Sequence, residues 1–255
     1  MSHHVIEISD LQYVYPDGNQ AINQVSLKLS HGESVGIVGA NGAGKSTLLM
    51  LLVGIVFPSH GSISVGNIPV TKKTLPYIRE KVGMVFQNPD DQLFTNTVYD
   101  DVAFGPRNYK LDEEEVAKRV LKSLETVGIL HLKDRAPYKL SGGEKRSVSI
   151  ATVLSMHPEI LIMDEPSTAL DPKSRRCLIN LLKSFDHTKI IATHDLDMVF
   201  ELCERTIILK EGVIVADGLT SELMINQELM EKCNLEIPLS IQNCPRCGSS
   251  KNLYP

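Results

Sequence analysis

The segment SVGIVGANGAGKSTLLMLLVG, Ser34 to Gly54, carries three local structures in succession. It opens with SVGIVG, a short apolar run ending in glycine, as a strand buried on both faces does. It closes with GKSTLLMLLVG, a helical stretch that stops at Gly54. Between them, within GANGAGKST, Gly39 to Thr47, the residues GANGAGKS match G-x-x-x-x-G-K-[ST] in full, in the strand-loop-helix context that gives such a match its meaning. Each residue type has a physical task. Gly39, Gly42 and Gly44 let the loop curl so that backbone N–H groups, those of Asn41 and Ala43 among them, converge on a phosphate. The helix N-terminus adds roughly half a positive charge. Lys45 supplies a full charge to the β- and γ-phosphates, Ser46 completes the motif and offers a hydroxyl to Mg²⁺, and Thr47 follows it at the start of the helix.

Outward from this loop, VIEI and VSLKLS alternate apolar and polar positions around the turn signal YPDGN, which predicts antiparallel strands with Tyr15 at the turn's edge. Residues 77–156 read as mostly helix, LDEEEVAKRVLKSLETVGI showing acidic residues first and helical apolar spacing after. From Pro158 strand and helix alternate through EILIMD, PKSRRCLINLLKSF, KIIATH and DMVFELC, the pattern of a parallel sheet with crossover helices. RTIILKEGVIVADG reads as a hairpin turning at Glu211 and Gly212. No internal repeat or linker breaks this pattern. The expected fold is α/β: a parallel sheet core, an antiparallel β subdomain and a helical subdomain inserted at residues 90–156, all within residues 1–219. Residues 220–255 read as a polar, weakly patterned tail.

Two further strand ends bear chemistry. ILIMDE sets Asp164 and Glu165 side by side at a buried strand end, costly unless a cation or a proton transfer compensates them. Asp164 suits the shell of a magnesium ion and Glu165 an attacking water. IIATHD ends another strand in His194, on the edge where open α/β sheets bind ligands. LSGGE, Leu140 to Glu144, adds a second glycine loop opening a helix, although a complete phosphate loop is already present.

At this point the residues resemble the ATP-binding cassette ATPases. LSGGE is similar to that family's signature motif, and the resemblance covers roughly residues 5 to 217. It implies a P-loop NTPase, RecA-like core that hydrolyses ATP with Mg²⁺. Tyr15 takes the place of the adenine-stacking aromatic, Gln87 that of the glutamine sensing Mg²⁺ and water, and Asp164 that of the magnesium ligand. Glu165 takes that of the residue polarising water and His194 that of the switch histidine, while STALD to Asp171 resembles the loop that communicates across a dimer. The resemblance also accounts for the second glycine loop: Ser141, Gly142 and Gly143 of one chain cover the γ-phosphate held by Gly39 to Thr47 of another. A second cassette is therefore implied, either a copy or a paralogue.

VFQNPDDQLFTNTVYDDVAFGP, which runs on from Gln87, resembles energy-coupling-factor importers and the related cobalt and nickel importers. In those proteins this region receives a coupling helix from an integral membrane subunit. The expectation is the ATPase subunit of a cobalt or nickel importer, with vitamin import as the alternative and a soluble, non-transport ATPase of this family as the rival from another class. A regulatory module without turnover is disfavoured by Glu165 and His194 both being present.

Composition agrees. At 42% hydrophobic residues, with no apolar run near the roughly 20 residues a spanning helix needs, the membrane connection is expected through a partner, on the cytoplasmic face. The opening MSHHVIEISD has neither the basic-then-apolar pattern of a signal peptide nor that of a transit peptide, so a cytosolic chain is expected. A net charge of −5 argues against a nucleic-acid partner. Of the five cysteines, Cys177, Cys203 and Cys233 lie in helical patterns and are expected to be inert packing residues. Cys244 and Cys247, in CPRCG, look like half of a zinc knuckle, which two tails in a homodimer would complete.

Overall fold

A computed structural model describes residues 4–185 and 187–242. They form two compact units, one running to Leu75 and resuming at Thr188, the other spanning Pro76–His187.

The first unit opens with β1 (His4–Val14), β2 (Gln20–Ser30), β3 (Ser34–Val38), α1 (Lys45–Leu52), β4 (His60–Val65) and β5 (Ile68–Pro69). The expected antiparallel pairing is present: β1 lies between β2 and β4, and β5 extends the sheet. Period-two alternation buries Val25, Leu27 and Leu29 while the residues between them face out. The β1–β2 register steps beside Asp10 and Gln24, both at positive φ (48° and 51°), as bulges do.

The second unit contains α2 (Leu75–Lys81), β6 (Val82–Val85), α3 (Val98–Asn108), α4 (Glu113–Thr126), α5 (Gly142–Leu154), β7 (Ile160–Asp164) and α6 (Pro172–Lys183). Val116, Val120 and Leu124 recur every fourth residue along α4 and meet Val98 and Val102 of α3 and Val148 of α5 in one buried cluster. Side-chain caps start these helices: Thr97, Asp112 and Ser141 each accept a bond from a backbone N–H of the first turn. Residues 77–156 are mostly helix, as expected, but include one strand, β6. Four residues following α2 without a break show no period of their own, and their strand state is defined by parallel pairing with β7, Val85 opposite Met163.

The chain returns to the first unit with β8 (Thr188–Ala192), α7 (Leu196–Leu202), β9 (Arg205–Lys210), β10 (Val213–Leu219), α8 (Thr220–Leu223) and α9 (Gln227–Lys232). β8 and β9 both pair parallel with β3, and β10 folds back on β9 through the turn at Glu211 and Gly212. The segment expected to be weakly patterned forms α8 and α9, anchored by buried Met224, Met230 and Cys233. Cys203 is also buried, and desolvation pushes its thiol up to about 12, which keeps it inert. Cys177 departs from expectation and is exposed, because Leu178, Ile179 and Leu182 take the inward stripe of α6. Cys244 and Cys247 lie outside the described residues. Among the described residues no helix is long and apolar enough to cross a membrane.

Leu124 is fully buried, so Leu124→Ala should cost about 2–5 kcal/mol. Urea unfolding would show this as a lower midpoint at unchanged slope.

Candidate functional site

In the first unit β3 delivers the phosphate loop directly into α1. The glycines act in two ways. Gly42 and Gly44 adopt φ of 78° and 102°, where a side chain is strained, whereas Gly39 is required by space, since a Cβ there would run into the Leu209 carbonyl. A Cβ at Gly44 would likewise meet the Ala21 carbonyl. α1 begins at Gly44 with no side-chain cap and no acidic residue in its first turn, so its leading N–H groups keep their donor capacity for an anion. Lys45 is buried, and its Nζ donates to the carbonyls of Gly39 (2.8 Å) and Ala40 (3.2 Å), folding the charge back over the loop. This uncapped, cationic cradle fits a phosphate group.

Tyr15 and His194 belong to the same unit. Tyr15 holds the turn before β2, its N–H donating to the Asn19 carbonyl. Its hydroxyl shares a 2.9 Å hydrogen bond with Thr47 Oγ1, and Tyr13 packs edge-on against its ring at 4.9 Å. β8 lies beside β3 with Ala192 opposite Ile37, and the Thr193 N–H still donates to the Ile37 carbonyl at 3.1 Å. His194, exposed, is therefore the first residue past the sheet on the edge where the Gly39 loop leaves β3. Asp195 caps α7 through the Met198 N–H and fixes the turn that follows.

The second unit repeats this arrangement. β6 and β7 are adjacent and parallel, so Phe86 and Gln87 leave on the same edge as Asp164 and Glu165. Asp164 and Glu165 are buried, 4% and 5% exposed, and Glu165 has φ of 46°. That conformation is unfavourable for any side chain and doubly so before Pro166. Such strain clusters at functional sites, and among the nine non-glycine residues at positive φ in the described structure Glu165 is a buried acid, which makes it a candidate.

Ser141 and Gly142 stand exposed at the start of α5. Ser141 Oγ accepts from the Glu144 N–H, and Glu144 Oε2 accepts from the Ser141 N–H (2.7 Å) and Oγ–H (2.8 Å), a complete capping box. The sequence reading assigned Glu144 no task of its own, although Ser-x-x-Glu before an apolar helix is the signal for this box. Gly143 sits where a Cβ would come 3.0 Å from Ser174 Oγ. Asp171 caps α6 by accepting from the N–H groups of Lys173 and Ser174.

Past Gln87 the chain presents an apolar surface that depends on a residue the sequence reading passed over. Asp101, 4% exposed, accepts the N–H groups of Phe94 and Thr95 at 3.0 Å each, and burial raises its carboxyl above the usual range. The turn it holds displays Phe94, 65% exposed, edge-on to Phe104 at 4.8 Å.

A family model described as ABC transporter matches residues 22–168. This chain is an ABC-family ATPase. The cassette is 44% identical to the energy-coupling factor transporter ATP-binding protein EcfA of Methanothermobacter thermautotrophicus, over 92% of this chain and 77% of that one. Among solved structures it superposes on cbiO1 of Clostridium perfringens, described as part of the ABC transporter complex cbiONQ, with a TM-score of 0.79, 41% identity and coverage of 91% and 95%. The ATP-binding cassette MJ0796, solved as a post-hydrolysis dimer bound to ADP and Pi, matches with a TM-score of 0.78 at 29% identity, covering 84% and 98%. Cassettes of this family bind ATP with Mg²⁺, form dimers and work with membrane subunits.

Ser141→Ala should cost about 0.5–2 kcal/mol through loss of the cap. The Glu144 carboxyl is held below the usual range by accepting from Ser141, so the box contributes fully above the ordinary glutamate pKa. Its contribution is lost as pH falls through the depressed folded value. Urea titrations of the two proteins should therefore differ most near neutrality and converge in acid.

Proposed function

We propose that this cassette is the ATP-hydrolysing subunit of an energy-coupling-factor-type importer. It acts on the cytoplasmic face of the membrane and drives uptake of cobalt or nickel ions through separate integral membrane subunits. The observation that carries this reading is the surface after Gln87, where the Asp101-held turn displays the Phe94–Phe104 pair. Exposed paired aromatics beside a fixed turn suit an apolar helix of a partner. The likeness to EcfA and to cbiO1 supports the same assignment.

Phosphoryl transfer needs positioning and charge stabilisation more than covalent help. Lys45 neutralises charge on the terminal phosphates and Tyr15 stacks on the adenine. Ser46, Asp164 and Gln87 supply the oxygen donors that Mg²⁺ prefers. Bound Mg²⁺ spreads the phosphate charge. Glu165 polarises the attacking water, and His194 holds that water and the γ-phosphate. Ser141, Gly142 and Gly143 cover the ATP held by a second cassette, so turnover requires a dimer with a copy or a paralogue.

Glu165→Gln should keep ATP binding and lower turnover by about 100- to 10,000-fold. Tagged Glu165→Gln protein, incubated with ATP and detergent-solubilised membranes of its own source, should retain polytopic membrane proteins in fixed ratio, and Phe94→Ser should weaken that retention. A vitamin-binding membrane subunit in the retained set would replace the metal cargo. Retention of soluble partners alone would end the importer reading and leave the ATPase intact.

The zinc assignment at Cys244 and Cys247 rests on the CPRCG spacing, two tails together supplying four thiolates. Among the described residues no group of three or more His, Cys, Asp or Glu is placed to hold a metal. Zinc measured per purified dimer should be present in the wild type and lost in Cys244→Ser; a metal-free wild type removes the idea.

A further inference from the structure

Arg146 lies in α5, five positions past Ser141, and is 3% exposed. Among the described residues its guanidinium makes no hydrogen bond to a carboxylate. Nη1 donates to the Phe86 carbonyl at 2.6 Å and Nη2 donates to the Gln87 carbonyl, while Nε has no partner among the described residues. A buried charge bonded to neutral carbonyls is an expensive way to hold two chain segments together, and an apolar side chain of similar volume would pack at lower cost. The choice of carbonyls gives the charge a purpose. Each peptide is planar, and the Phe86 and Gln87 carbonyls belong to the two planes that meet at the Gln87 Cα. A rigid fork gripping both planes fixes φ and ψ of Gln87, and with them the direction in which its exposed side chain leaves the backbone.

The surrounding contacts close the same loop from other sides. Gln92 Oε1 accepts the Phe86 N–H at 3.1 Å, and Gln92 Nε2 donates to the Ser149 carbonyl (2.8 Å) and Thr152 Oγ1 (2.7 Å) of α5. Lys145 pairs with Asp90 at 2.6 Å. Burial lowers the affinity of Arg146 for its proton, and the opposite charge of Asp164 offsets part of that effect.

We propose that Arg146 is a positioning residue for Gln87, holding its backbone so that the amide presents its oxygen to the metal and that Gln87 and the Ser141–Gly143 turn move as one body. This rests on the assignment of Gln87 to Mg²⁺ and water.

The test uses the purified full chain with Arg146→Met, Arg146→Lys, Gln87→Ala and the Arg146→Met/Gln87→Ala pair. Two readouts are followed: the Mg²⁺ concentration giving half-maximal ATPase rate, and the Mg²⁺-dependent tightening of a fluorescent ATP analogue in a Glu165→Gln background, which needs no turnover. Arg146→Met should raise both Mg²⁺ requirements by about 10–100-fold, the effect expected when a support behind a metal ligand is removed. Binding of the analogue without Mg²⁺ should stay at the wild-type level. The double variant should be no worse than Gln87→Ala alone, since the two residues act through one contact. Arg146→Lys keeps the charge but cannot grip both carbonyls, so it should show a smaller shift in the same direction and decides the matter if the methionine variant does not fold. A wild-type Mg²⁺ requirement in the arginine variants beside an impaired Gln87→Ala overturns the proposal and leaves the role of Gln87 standing. Equal losses with and without Mg²⁺ overturn it in favour of a purely structural arginine. A normal Gln87→Ala overturns the role of Gln87 and the proposal together.

Discussion

Parallel strand pairing is the constraint on which the functional residues depend. Antiparallel neighbours send successive chain ends to opposite edges, whereas parallel neighbours deliver every C-terminal end to one edge. In the first unit, Ile37 opposite Ala192 places the Gly39 loop and His194 side by side although some 150 residues separate them along the chain. In the second, Val85 opposite Met163 does the same for Gln87 and the acids at Asp164 and Glu165. A one-residue slip in either register would carry every side chain of the strand to the opposite face of the sheet and misplace the loop behind it. β3, β7 and β8 are almost wholly buried, and that burial locks the register.

What the sequence made legible follows from how local each signal is. The phosphate loop declared itself because its glycines, lysine and hydroxyls fall within nine consecutive residues, between a strand and a helix that each have their own pattern. α4 was legible because its apolar residues recur every fourth position after an acidic first turn. β6 was not, because four residues carry no period and its definition comes from β7, more than seventy residues away. The same reason hid Arg146. Its partners lie 59 and 60 residues upstream and are backbone carbonyls, which carry no sequence identity at all. Cys177 misled because its neighbours, not itself, occupy the inward stripe of α6.

Glu165 carries backbone strain that its surroundings sustain. A non-glycine residue at φ of 46° before a proline costs on the order of 1–3 kcal/mol that a glycine would avoid. The strand behind it is buried at every position, and that packing sustains the strain. The sequence disclosed the acidic pair but not its conformation, since dihedral strain leaves no trace in composition.

The two glycine loops differ in how their helices begin, and the difference matches their tasks. Of the described helices of eight residues or more, α1 alone starts without a side-chain cap; α3, α4, α5 and α6 are capped by Thr97, Asp112, Ser141 and Asp171. A start without a side-chain cap is a standing cost, and α1 carries it where Lys45 and three glycines converge. At α5 the Ser141–Glu144 box occupies the N–H groups of Ser141 and Glu144, while those of Gly142 and Gly143 have no acceptor among the described residues. The first helix therefore meets an anion without a side-chain cap of its own, and the second with its Glu144 N–H already held by Ser141.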